Sequence, residues 1–152
     1  DRVVGFDCVN DYYAIANKER NLAHLAQYPN FTFVKGDLVD IELLRKLFAE
    51  HEFTHIAHLA ARAGVRPSIE DPFIYDEANV RGTLNLLEVG RHHRIENSVI
   101  TSSSSVYGNS TRVPFREDDS ATDRPISPYA ATKKATEVMA YTYHHLYGMN
   151  VN

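Results

Sequence analysis

The stretch Ser127-Pro128-Tyr129-Ala130-Ala131-Thr132-Lys133-Lys134 sets a phenol four residues before an ammonium. On a helix this spacing stacks Tyr129 and Lys133 on one face, one turn apart, while Lys134 is rotated about 100° toward solvent. A free phenol titrates near about 10 and is a poor base at neutral pH. A nearby cation favours the phenolate, so Tyr129 is expected to act as a general base with Lys133 as its partner. Such a pair suits removal of a hydroxyl proton while hydride leaves the same carbon.

A second cluster lies upstream in Thr101-Ser102-Ser103-Ser104-Ser105-Val106-Tyr107-Gly108. Four serines in a row have poor strand propensity, and a buried hydroxyl is costly unless it is bonded. Ser103, Ser104 and Ser105 are therefore expected to form a hydrogen-bonding set for a substrate oxygen. Asp7 closes the first apolar run, where a dinucleotide fold places the carboxylate that holds the adenosine ribose. Cys8 and Val9 follow it, with no arginine to receive a 2′-phosphate, which favours NAD over NADP. Asp37, after Gly36, could by the same logic reach the adenine edge. The run His58-Leu59-Ala60-Ala61-Arg62-Ala63-Gly64 offers small side chains where a pyrophosphate or ribose must approach the backbone closely.

Alternating elements would position these residues. Val3 to Asp7 reads as a strand and 17–27 as a helix with Leu22, Leu25 and Ala26 on one face. Residues 31–37 read as a strand, and 40–51 as a helix capped by Asp40 with Leu43, Leu44, Leu47 and Phe48 inward. A buried strand is expected over 53–61, broken at Gly64-Val65-Arg66-Pro67-Ser68. One long helix over 72–92 opens at Asp71–Pro72. A strand over 98–103, a polar loop over 108–127 and a helix capped by Ser127–Pro128 and closed by Gly148 complete the order. Strands alternating with helices at this pitch imply a parallel, doubly wound α/β sheet that binds ligands at the strands' carboxyl ends. Those ends carry Asp7, Asp37, Leu59 to Ala61 and the serines.

The composition agrees with one α/β domain over 1–152. It is 43% hydrophobic and 24% charged, with net charge −4, which disfavours nucleic acid or an anionic membrane as the main partner. The lone cysteine, Cys8, makes an internal disulfide impossible and favours a reducing, cytoplasmic setting. Paired histidines at 92–93 and 144–145 diverge on helices, and His55 and His58 face opposite sides of a strand, so solvated or packed roles are expected rather than a metal site.

The order Asp7, Gly36-Asp37-Leu38, His58-Leu59-Ala60-Ala61, Asn79, Ser-Ser-Ser-Ser-Val-Tyr-Gly and Tyr-Ala-Ala-Thr-Lys resembles the extended short-chain dehydrogenase/reductase family of nucleotide-sugar enzymes. Within it, 6–13, 59–66, 102–108 and 127–148 are similar to UDP-glucuronate 4-epimerases. The resemblance implies a Rossmann-like fold, bound NAD and a UDP-sugar substrate epimerised through a 4-keto intermediate. It further implies that Ser103 hydrogen-bonds the sugar 4-oxygen, that Tyr129 is the base, and that Lys133 holds the nicotinamide ribose. Asp7 would bind the adenosine ribose, Asp37 and Leu38 the adenine, and Leu59, Ala60 and Ala61 would line the cofactor cleft. Asn79 matches an asparagine near the cofactor's centre, and Arg66 would reach the substrate's anionic groups.

Related dehydratases and decarboxylases carry acids directly after the catalytic hydroxyl, where this chain has Ser104 and Ser105. UDP-galactose 4-epimerase is the nearest enzymatic alternative, and a non-catalytic nucleotide-binding scaffold the alternative from another class. Cys8 and Arg62 depart from the subgroup's more usual Asn and Gln. The glycine-rich phosphate loop belongs to a strand before Val3 and the sugar pocket to a region beyond the last residue, so an internal fragment is expected. Helices 72–92 and 128–147 are expected to pair in a homodimer.

Overall fold

The computed structural model describes residues 1–118 and 123–152. The elements in order are β1 (Val3–Asp7), α1 (Ile15–Leu25), β2 (Phe31–Lys35), α2 (Ile41–Glu50), β3 (His55–His58) and α3 (Val65–Glu70). They are followed by α4 (Pro72–Tyr75), a π-helical turn (Asp76–Arg81), α5 (Gly82–Gly90), β4 (Asn97–Ile100), a 3-10 turn (Ser104–Tyr107) and α6 (Pro128–Tyr147). Residues 119–122 of the expected polar loop lie outside the described residues.

The strands are parallel, in two pairs. β1 runs beside β2 with Asp7 opposite Lys35, and β3 beside β4 with His58 opposite Ile100. The two pairs are not hydrogen-bonded to each other. The last residues extend the second pair: Ser98 N–H donates to the Asn150 carbonyl at 2.9 Å, and Ile100 N–H to that of Asn152 at 2.8 Å.

The capping chemistry read from the sequence is present. Asp40 accepts from Leu43 N–H at 3.0 Å, and Ser127 Oγ from Ala130 N–H at 3.1 Å. Gly148 closes α6 in the left-handed region, with φ 67°. The expected helix over 72–92 is continuous but passes through the π turn, so its face does not run at a uniform 3.6-residue period. The segment read as a break, Gly64 to Ser68, instead starts α3: Pro67 sits in the first turn, where its missing N–H costs no helical bond. β3 ends three residues earlier than expected, which frees Leu59 to Ala61 as a loop.

Two apolar clusters flank α5. Leu86 and Val89 meet Leu44 and Phe48 of α2, with Phe6, Leu38 and Ile56 around them. On its other side Leu87 packs with Tyr143 and Met149. Gly36 allows the close passage of α2, because a Cβ there would fall 2.3 Å from a Leu43 methyl. α1 buries none of its residues; Leu22 is half-buried and Leu25 exposed, and a sheet two strands wide offers little surface to cover them.

Candidate active site

Tyr129 occupies the first turn of α6, where Ser127 and Pro128 fix the start of the helix. Its backbone N–H donates to Ser68 Oγ at 3.0 Å, and the buried Ser68 hydroxyl donates in turn to the Val65 carbonyl at 2.6 Å. α3 is thereby locked against the N-terminal end of α6. The Tyr129 ring meets the edge of Tyr75 at 6.1 Å.

Lys133 lies one turn further in and is only 5% exposed. Burial lowers its pKa, an effect opposed by the carboxylate of Glu137. Across from it, His58 is buried with Nε2 2.8 Å from Thr83 Oγ1. Desolvation first, and then the Lys133 charge, push His58 down to about 4, so it stays neutral at physiological pH. The expected packed role of His58 is borne out. Among the described residues Lys133 has no side-chain hydrogen bond or ion pair, which leaves a buried cation with donor capacity to spare.

Ser103 ends the extended segment after β4, and its Oγ accepts from Ser105 N–H at 3.2 Å. The hydroxyl thus caps the 3-10 turn in which Ser104 is exposed and Ser105 half-buried. Ser102 donates its hydroxyl to Glu137 on α6. Glu137 also accepts from Lys134 at 3.1 Å, so Lys134 is not simply solvated: its side chain is 26% exposed and ion-paired.

The loop after β3 is held from several sides. Asn79, 1% exposed in the π turn, takes Arg62 N–H on Oδ1 at 2.6 Å. Its Nδ2 donates to the Arg62 carbonyl and to Thr132 Oγ1, both at 3.0 Å. The amide is used within the protein, where it fixes the loop's backbone. Tyr12 and Tyr75 both donate to the Ala63 carbonyl, and the Arg62 guanidinium lies 4.1 Å over the Tyr12 ring. Desolvation first, then the neighbouring Tyr12 hydroxyl 3.2 Å away, push the Tyr75 phenol up to about 12. Leu59, Ala60 and Ala61 are left exposed, Leu59 at 70%.

Asp7 and Asp37 belong to the other strand pair. Asp7 Oδ1 accepts from Val9 N–H at 2.6 Å and from Lys18 at 3.2 Å, with the carboxylate still half exposed. Asp37 is exposed and takes Val39 N–H at 3.2 Å. Leu38 is half-buried: its side chain packs against the core cluster beside Gly82, and its carbonyl accepts from Asn85 Nδ2 at 2.9 Å. Arg66 is exposed on the first turn of α3.

Tyr129, Lys133 and the serine turn are joined through α6, and the β3 loop is joined to them through Asn79. Tyr12 bridges from the loop after β1, near Asp7. Sequence reading missed Tyr12, Tyr75, Ser68 and Glu137. Only Glu137 carries a local signal, its position four residues after Lys133; the others act across long chain separations.

A phenol on a helix, a buried cation one turn along it and hydroxyls at a strand's carboxyl end are the groups that this Rossmann-type fold brings together. A family model described as GDP-mannose 4,6 dehydratase matches residues 2–152. The chain belongs to this family of short-chain dehydrogenase/reductase nucleotide-sugar enzymes. It is 49% identical over 152 residues to UDP-glucuronate 4-epimerase 4 of Arabidopsis thaliana, covering 99% of this chain and 34% of that protein. The crystal structure of UDP-glucuronic acid 4-epimerase from Bacillus cereus with UDP-glucuronic acid and NAD superposes with TM-score 0.86 at 31% identity, covering 99% of this chain and 46% of the other. A dTDP-glucose 4,6-dehydratase, DesIV from Streptomyces venezuelae, superposes with TM-score 0.88 at 31% identity, covering 99% and 44%. The chain therefore spans less than half the length of each.

Proposed function

We propose that the full-length protein is an NAD-dependent nucleotide-sugar 4-epimerase acting on UDP-glucuronate, and that residues 1–152 form part of its Rossmann domain. The observation that carries the choice among relatives is the pair of serines after Ser103, the exposed Ser104 and the half-buried Ser105. A dehydratase must protonate a departing hydroxyl, and neither serine can act as that acid at neutral pH. An epimerase needs none, because the same hydride and proton return.

The residues fit NAD. The half-exposed Asp7 carboxylate can accept ribose hydroxyls, the exposed Leu59–Ala61 loop offers an apolar surface in which Ala60 and Ala61 leave the backbone open to close approach, and Lys133 has free donors. When bound, NAD supplies the hydride acceptor and donor for C4 of the sugar. Tyr129 takes the 4-hydroxyl proton and returns it, Lys133 stabilises the phenolate, and Ser103 hydrogen-bonds the 4-oxygen. Arg66, at the mouth of α3, is proposed to meet the substrate's anionic groups. Asp37 would face the adenine. Leu38 would line the adenine site with Asp37, and Asn79 would act through the Arg62 backbone it holds.

The same reading includes a homodimer and a cytoplasmic setting. The dimer is supported by Phe73 and Leu84 on the 72–90 helix and by Val138, Tyr141 and Leu146 on α6, all exposed. Among the described residues no helix is long and apolar enough to cross a membrane, and Cys8 is a free thiol.

The test is to give the full-length protein UDP-glucuronate and NAD and follow products by mass spectrometry and sugar analysis. UDP-galacturonate with little pentose is the expected product. Dominant UDP-pentose or a released 4-keto sugar would reject the epimerase reading. Turnover of UDP-galactose alone would reject only the substrate, and no turnover of either would leave a nucleotide-binding scaffold.

A further inference from the structure

Glu137 stands one turn beyond Lys133 on α6, and its two oxygens do different things. Oε1 accepts the Ser102 hydroxyl, and Oε2 accepts the Lys134 ammonium. The ladder that guides the chain out of β4 ends with Thr101 N–H on the His58 carbonyl at 3.1 Å. The Ser102–Glu137 bond is the next attachment, directly before Ser103. It ties the root of the serine turn to the helix that carries Tyr129 and Lys133.

The same carboxylate lies in the field of Lys133 and works against the desolvation that would strip its proton. Among the described residues, the neutral His58 of β3 also lies in the field of that ammonium, and the nearest ionisable residues along α6 are Tyr129, one turn before, and Lys134, directly after. Among the described residues of this small cluster, Glu137 is the anion.

We propose that Glu137 is a positioning residue of the reaction centre: its carboxylate holds the serine turn at its distance from α6 and balances the charge around Lys133, without touching substrate. Glutamine at 137 would keep an acceptor for Ser102 and lose the charge. Alanine would lose both.

The inference rests on the epimerase reading for its kinetic readout, and a second readout is independent of it. In the full-length protein, kcat and KM for UDP-glucuronate are measured against pH for the parent, Glu137→Gln, Glu137→Ala and Ser102→Ala. The tyrosinate absorbance of each is titrated in parallel, with Tyr129 identified by the signal lost in Tyr129→Phe. Removing a negative charge favours deprotonation of its neighbours, so in both Glu137 variants the limbs of the kcat profile and the Tyr129 signal should move down by about one pH unit. Ser102→Ala should lower kcat about tenfold with KM nearly constant and leave the limbs in place. Glu137→Ala should show both changes, and Glu137→Gln the pH change with most of kcat retained.

A Glu137→Gln protein whose limbs and tyrosinate titration coincide with the parent's would overturn the charge role. Parental kcat in Ser102→Ala would overturn the spacing role. Glutamine is nearly isosteric, so these comparisons stand even where the alanine variant does not fold. If the parent does not turn over UDP-glucuronate, the proposed function fails while the tyrosinate titration still decides Glu137.

Discussion

Tyr129 and Lys133 owe their usefulness to unequal surroundings on one helix face. Tyr129 is half-buried at the start of α6, and Lys133 is buried beside a neutral histidine. Tyr129→Phe keeps the ring against Tyr75 and removes the titrating oxygen. Turnover of the full-length enzyme should fall by ~10²–10⁴ while substrate binding persists; near-parental kcat would remove Tyr129 from the mechanism. His58 makes a separate prediction. Its folded pKa, about 4, lies below the ordinary 6.5, so between those values the unfolded chain takes up a proton that the folded one refuses. The stability it contributes is complete above 6.5 and is lost as pH falls toward 4. Urea midpoints between pH 7 and 4 should drop more steeply for the parent than for His58→Asn, and parallel curves would contradict this.

The helices are coupled by polar bonds as well as by packing. Glu88 on α5 accepts from Arg91 Nη2 at 2.6 Å and Nε at 2.8 Å, and from Tyr143 on α6 at 2.7 Å. The Arg91 hydrogen bonds, followed by that of Tyr143, hold Glu88 down at about 2. Tyr143→Phe keeps the packing on Leu87 and removes one bond to a charged acceptor. A loss of about 1 kcal/mol is expected at neutral pH, measured by chemical denaturation, and it should vanish as pH falls far enough to protonate Glu88. A loss that persists unchanged at low pH would mean that packing, not the bond, joins these helices.

Across the molecule, the exposed apolar residues on the 72–90 helix and α6 are what the proposed homodimer would cover. Of the apolar residues on these helices, Leu87 is core and Met139 half-covered, so the outward set is narrower than composition suggests. Val138→Glu in the full-length protein should convert a dimer into a monomer by light scattering at micromolar concentration, because burying an unpaired carboxylate in an interface is costly. A parental protein that is already monomeric would refute the proposed pairing.

Much of this was legible in the linear chain because the signals are local. Helix caps at Asp40, Asp71 and Ser127, the stop at Gly148, and the i, i+4 spacing of Tyr129 and Lys133 depend on neighbours within a turn. The parallel α/β class followed from the alternation of such elements. The π turn, the short α3 and the early end of β3 were not legible, because they answer to contacts rather than to propensity. Asn79 is spaced 17 residues from the Arg62 peptide it clamps and 53 from Thr132, and Tyr12 is 51 from the Ala63 carbonyl. Such pairs leave no periodic trace, since each residue is ordinary in its own element. Leu38 is a second case: its place after a strand suggested a ligand contact, and its packing against the core cluster depends on Gly82, more than forty residues on, letting α5 come close. Residue types and spacing determined which groups could do the chemistry. Only the packing of distant segments decided which are left open to a ligand and which spend their polar atoms holding the others in place.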